Sequence, residues 1–431
     1  MLRRVAPVLR IPASVQRLAA WGARLRGPVA HDTRTPSAYA PLVMVFDAKA
    51  ACRVLSDRGA FGVQEYERKM RAVIGPFLLG LDYDDPGYRA QMALWQAVLG
   101  PGEADAVRRY AHEAAQTTSP LDPADGSLDV VRWTGRTLER FVADYFGVPT
   151  IPSPNGDHGS TLLQLLQRTS SYVFNVDLLT GHLAARAKES GKILEGHFLA
   201  VLQDKLKAGA RPGGDVVDRL LAEPDGARDL RRLSTVLAGT LSGLFVPTST
   251  QFVHVVDYLL DLPRRDLEGL RAAASERAGL SAEERTHRRD LVARYVLEAA
   301  RFDPFPMGLI RFCPEGATLE AGNGRTAVVP RGATVVAMMN AVALDPRIAP
   351  QPGAFLLGRP DGHYLLFGAG QHRCLGASPH WPVAIALMTE MATELFRLPG
   401  LRRAAGRRGT LTTRDSWPDA LELAYDARGP S

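Results

Sequence analysis

Residues 367–377 read FGAGQHRCLGA. Cys374 is the residue there that can hold a metal, because a cysteine binds metal as the thiolate. The backbone N–H groups of Leu375–Ala377 are in line to donate to its sulfur. A helix is expected to begin just after it and to turn its positive end toward that sulfur. Hydrogen bonds of this kind tune a bound iron. Gly368, Gly370 and Gly376 let the backbone turn sharply and approach a flat group closely, and Phe367 offers an aromatic wall. A glycine turn with an incidental cysteine accounts for Gly-x-Gly alone. It does not account for the full Phe-Gly-x-Gly-x-His-x-Cys-x-Gly spacing, in which His372 precedes the cysteine by two positions.

Two further constellations need an element to hold them. Glu298 and Arg301, in EAAR, are three residues apart, the spacing of an ion pair along one helix. Residues 233–263 are apolar on nearly all sides, which predicts a buried helix. At about 1.5 Å per residue it is long enough to cross a domain. Pro247 lies inside it, where proline removes one backbone donor and frees a carbonyl a turn earlier. The bland consequence is a kink.

The positioning elements are mostly helical. Residues 88–99, 134–147, 191–209, 214–226, 291–303 and 382–398 carry helical patterns, and 41–57 reads as a short strand followed by a helix. Residues 275–290 read as a charged connector. Residues 317–346 alternate around a Gly-Asn-Gly turn and predict a strand pair with a short helix. The expected fold is mainly α with a small β region.

The chain has 431 residues, 46% apolar and 23% charged, the composition of an ordinary soluble domain. Six arginines among residues 1–31 equal the whole net charge of +6. The basicity is therefore local, which argues against a nucleic-acid groove. It marks 1–37 as a basic N-terminal segment. Pro7 and Pro12 interrupt any long amphipathic helix there. No run of 18 apolar residues spans a membrane, and no secretory signal fits. Three scattered cysteines make neither a disulfide framework nor a zinc site. They suit a reducing, cytoplasmic setting.

The 367–377 loop resembles the heme-thiolate signature of the cytochrome P450 superfamily. EAAR is similar to that family's Glu-x-x-Arg, at the expected order along the chain. The resemblance covers roughly residue 38 to the end, and implies a single domain, 38–431, holding heme b. It implies that Cys374 ligates the iron and that Phe367, Gly368, Gly370 and Gly376 form the cradle. It further implies that Arg311, His372 and either Tyr88 or Arg89 face the heme and its propionates. His363 is a further candidate for the heme region. Glu298 and Arg301 then have a structural role. The third member of their network is usually an arginine; Ala354 occupies that place, and Arg359 is the nearest substitute.

The resemblance fails in the long helix. Oxygen-using members carry Ala/Gly-Gly-x-Asp/Glu-Thr there, and the acid and alcohol relay protons during dioxygen activation. Thr248 falls on the alcohol and Pro247 on the acid, with Leu244 and Phe245 on the small pair. A register shifted two residues earlier restores Ser242 and Gly243 to the small pair and loses both polar residues. VPTST and LEAARFDPF look similar to P450-like enzymes of fatty-acid peroxidation. The expectation is a heme-thiolate oxidoreductase of monooxygenase or peroxygenase type acting on a hydrophobic small molecule. Its oxidant would be dioxygen with ferredoxin and ferredoxin reductase, or a peroxide. The alternatives are a redox-neutral hydroperoxide isomerase or dehydratase, and a non-catalytic heme-binding protein.

Overall fold

Short polar residues start six of the helices described below, because their side-chain oxygens satisfy N–H groups that a helix leaves free. Asp47 accepts from Ala50 N at the start of α1 (Ala48–Ser56). After α2 (Gln64–Val73), Asp85 caps α3 (Pro86–Val98), with proline in the first turn, where it lacks no needed donor. α4 (Glu103–Thr117) follows, and Asp129 caps α5 (Val130–Phe141). Next come α6 (Thr161–Val173) and α7 (Ala184–Ala208). Asp215 caps α8 (Val216–Ala222), and Asp229 caps α9 (Leu230–Leu259). α10 (Arg264–Ala274), α11 (Ala282–Phe302), the single turn α12 (Met339–Val342) and α13 (Val383–Phe396) complete the helices used below.

This computed structural model describes residues 29–32, 41–118, 126–151, 161–175, 183–224, 226–275, 279–414 and 417–426. The basic segment 1–37 lies outside them, apart from the backbone of β1 (Val29–Asp32). β1 pairs antiparallel with β2 (Leu42–Val45). β2 pairs parallel with β4 (Ala333–Met338), and β4 antiparallel with β3 (Gly308–Cys313). This sheet brings residues far apart in sequence to one wall of the site and sets Arg311 opposite Val335.

α9 forms the centre. It packs against α5, α6, α7, α11 and α13. Its most apolar stretch would suffice for a membrane crossing by length and composition, but 89% of that window is buried inside the fold. All-round apolarity here therefore reflects a core helix.

Some boundaries differ from the sequence reading. Residues 282–290 are helix, not connector, because Ser281 and Glu284 form a reciprocal capping box that starts α11 early. α5 starts four residues before the expected 134, at the Asp129 cap. The helix after Cys374 starts only at Val383; a single 3₁₀ turn, Leu375–Ala377, intervenes.

Candidate active site

Cys374 lies between two short 3₁₀ turns, Gly370–His372 and Leu375–Ala377. Its N–H donates to Phe367 O at 2.9 Å, which closes the loop on itself. The sulfur accepts backbone hydrogen bonds from Gly376 and Ala377. Burial raises the thiol pKa, and those two bonds with Arg373 oppose the rise. The expected helix N-terminus is thus replaced by the N–H groups of the 3₁₀ turn, which serve the sulfur at closer range.

The glycines have distinct reasons. Gly368 and Gly370 have φ of 73° and 72°, a region that side chains rarely adopt. A Cβ on Gly370 would also lie 2.5 Å from Leu55 O, so packing against α1 requires that glycine. A Cβ on Gly376 would lie 3.4 Å from Leu244 Cδ1 and 3.8 Å from Cys374 Sγ. Its absence keeps open the space between the long helix and the sulfur.

Cys374 opens onto a cavity of about 1680 Å³, its mouth to solvent included. Phe367, Arg311, His372, Thr248 and Pro247 line it, and apolar side chains such as Phe77, Met92, Leu297 and Phe305 supply much of the wall. α9 presents Thr240, Gly243, Leu244, Pro247, Thr248 and Gln251 to it, a helical stripe. Gly243 and Leu244 therefore face the cavity together, whereas Phe245 is fully buried away from it. Neither sequence register pairs those two residues. A Cβ on Gly243 would meet nothing within 4 Å, so the open small position is Gly243. Among the described residues, no carboxylate lines this cavity.

Arg311 is 4% exposed, and its Nη1 donates only to Ile310 O. It forms no ion pair among the described residues. Burial pushes its pKa down, against the more distant influence of Tyr66 and Asp82. A buried guanidinium without a counter-ion is costly and calls for an anionic ligand. His372 beside it is held neutral: burial first, then Arg311 and Arg58, push its pKa down to about 3. Tyr88 donates to Gln371 O at 3.0 Å and packs edge-on against the His372 ring. Arg89, the other α3 candidate, is exposed and does not line the cavity. One step along a helix turns a side chain about 100°, and Tyr88 takes the inward place. His363 does not line this cavity either.

Glu298 and Arg301 are both fully buried. Arg301 Nη2 and Nε donate to Glu298 Oε1 and Oε2 at 2.8 and 3.0 Å. Arg359 Nε joins at 3.0 Å, and its Nη2 donates to Gln351 O and Ala354 O. The arginine missing at position 354 is thus replaced by Arg359. Tyr364 OH and Leu356 N also donate to the Glu298 carboxylate, contacts that no sequence spacing signalled. Despite burial, these donors hold the Glu298 carboxyl below its ordinary range.

These residues fit a heme. The thiol opens onto a large cavity, a glycine leaves the space above it clear, and an unpaired buried cation with a neutral imidazole awaits anionic groups.

No protein-family model matches the chain. Curated relatives include a bifunctional dioxygenase–epoxy alcohol synthase of Fusarium oxysporum, 30% identical over 39% of this chain and 12% of that protein. Psi-producing oxygenase A of Aspergillus fumigatus is 28% identical over 86% of this chain and 36% of its own length. Nocardicin C N-oxygenase of Nocardia uniformis subsp. tsuyamanensis is 31% identical over 65% of this chain and 64% of that protein. The chain thus spans about an eighth to two thirds of these relatives. A myxobacterial cytochrome P450 solved with myristic acid superimposes with a TM-score of 0.71 at 22% identity, covering 97% of this chain and 99% of that one. By fold, a mainly α single domain with small sheets, this chain is built like the cytochromes P450.

Proposed function

We propose that this chain is a heme-thiolate oxidoreductase of monooxygenase or peroxygenase type that oxidises a hydrophobic small molecule. The observation that carries this reading is a cavity shared by Cys374, Thr248 and many apolar side chains. Heme b, when bound, supplies the redox and oxygen chemistry. Cys374 would hold its iron, with Gly376 and Ala377 steadying the sulfur. Arg311 and His372 would hold its propionates. The apolar wall desolvates and orients the substrate. Thr248 and the helix around Pro247 shape the other side.

The lack of a carboxylate among the described residues lining the cavity supports an oxidant that needs no acid relay, that is, a peroxide. The same observation favours a second reading: redox-neutral rearrangement of an organic hydroperoxide. The names of the fungal relatives, a dioxygenase–epoxy alcohol synthase among them, point the same way. The test compares three feeds for the heme-loaded protein over a panel of apolar substrates: hydrogen peroxide; NADPH with ferredoxin and ferredoxin reductase in air; and a fatty-acid hydroperoxide alone. Oxidation with hydrogen peroxide supports the first reading. Isomerisation of the hydroperoxide without reductant supports the second. Turnover only with NADPH and redox partners identifies the monooxygenase type and contradicts both the peroxide-driven and the rearrangement readings, and failure of all three leaves only heme binding.

A further inference from the structure

Behind the cysteine loop is an aromatic chain that the proposed chemistry does not use. Trp95 of α3 and Trp381, which precedes α13, both line the cavity and stack with ring centroids 5.6 Å apart. Trp381 Nε1 donates to Tyr145 OH at 2.7 Å. Tyr145, 1% exposed, donates its own phenolic proton to Glu103 Oε1 at 2.5 Å. Glu103, 6% exposed, is held by both terminal nitrogens of Arg219 at 2.6 and 3.1 Å. Tyr110, half-buried, meets the Tyr145 ring edge-on at 5.6 Å. Burial, then Glu103, push the Tyr145 pKa well up, so the phenol is protonated at rest.

We infer that Tyr145 is a redox-active tyrosine, oxidised by one electron through Trp381 and Trp95 while its proton passes to Glu103. A phenol is far easier to oxidise when its proton has a base to go to, and a carboxylate at hydrogen-bond distance is that base. The inference rests on the heme-thiolate reading, and its oxidant is a hydroperoxide. The Tyr145 O–H bond breaks, an O–H bond forms on Glu103 Oε1, and the electron leaves along the tryptophan stack. Reducing one hydroperoxide to alcohol and water takes two electrons and two protons. Tyr145 therefore gives one electron twice. Between the two steps a phenolic one-electron donor restores it by way of Tyr110, and Glu103 returns the proton. Solvent supplies the two protons consumed, and the donor releases its own to solvent.

The experiment is freeze-quench electron paramagnetic resonance on the heme-loaded full chain mixed with peracid, without substrate. The reduced CO difference spectrum of the same sample checks the heme-thiolate reading separately. The expected result is a tyrosyl signal that Tyr145→Phe abolishes, that Trp381→Phe lowers at least several-fold, and that Glu103→Gln lowers or alters in line shape. Guaiacol-type phenols should quench it. An intact thiolate spectrum with no tyrosyl radical overturns the inference and spares the function, and so does a radical that persists in Tyr145→Phe. Should Tyr145→Phe not fold, an undiminished signal in Trp381→Phe overturns it equally. Loss of the thiolate spectrum itself overturns both.

Discussion

The two sides of the cavity are built to different standards of completeness. On the Cys374 side the sulfur and the buried Glu298 carboxylate are both well supplied with donors, and Gln371 Oε1 and the Arg311 charge are what stay without a partner among the described residues. The sulfur has two backbone donors, and Glu298 has Arg301, Arg359, Tyr364 and the N–H of Leu356. On the α9 side Pro247 stands where the resemblance places an acid, no carboxylate lines the cavity among the described residues, and hydroxyls of Thr240, Ser242 and Thr250 are buried without a partner. Under the proposed function the difference reads as two separable demands on this fold, holding the cofactor and delivering protons to the oxidant, and the test of that reading is whether the second can be restored.

The largest effect that would break this comparison is on the completed side. Glu298→Ala leaves two buried guanidinium groups with backbone acceptors only and no counter-ion, and should cost about 3–5 kcal/mol of stability, since breaking a buried pair strands a charge. Denaturant unfolding of the variant measures it, and a change below 1 kcal/mol would mean the network is ornamental.

Arg311→Leu should act with opposite signs on two readouts. It removes an unpaired buried cation, so the heme-free protein should be no less stable. Heme retention should fall by roughly 10- to 100-fold, the worth of one charge-assisted hydrogen bond. Heme transfer to an acceptor protein reads the second effect. Equal retention in both proteins would remove Arg311 from the site.

Pro247→Glu sharpens the other side. It restores a backbone donor and a carboxyl at the relay position. Dioxygen use with redox partners should become several-fold better coupled to product, while peroxide-driven turnover should change less. An unchanged coupling ratio would show that the missing acid is not what limits dioxygen use.

The smallest effect concerns His254, which pairs with Asp303 at 2.8 Å behind the cavity. Burial alone would lower its pKa, but the hydrogen bond and charge of Asp303, with Asp257, raise it above its ordinary value of 6.5. A raised folded pKa means the pair stabilises fully below 6.5 and loses that contribution as pH rises through the folded value. For a half-buried pair the amount should be below about 1 kcal/mol. Melting curves of His254→Gln against pH should lack this slope, and identical slopes would contradict it.

The cysteine side was legible in the sequence because its chemistry lies in one contiguous loop with fixed spacing. Even the substitution of Arg359 for Ala354 could be anticipated, since both fall on one short stretch. The choice between Tyr88 and Arg89 stayed open because one position of helical phase decides which of them α3 turns inward, and spacing alone does not set that phase. The α9 registers failed for the same reason: Gly243 and Leu244 face the cavity, a pairing that only packing against α5 to α7 establishes. Tyr364, Trp95 with Trp381, and Tyr145 with Glu103 meet across 42 to 286 residues of chain, and nothing local marks them. Early starts of α5 and α11 follow from the caps at Asp129 and Ser281, which were readable but unread.

The central claim is that Cys374 is the iron's thiolate in this cavity. The most direct measurement is the CO difference spectrum of the reduced, heme-loaded protein beside that of Cys374→Ala. The account predicts the red-shifted thiolate Soret band in the natural protein and its complete loss in the variant. A natural protein without that band, or a variant that keeps it, would contradict the account.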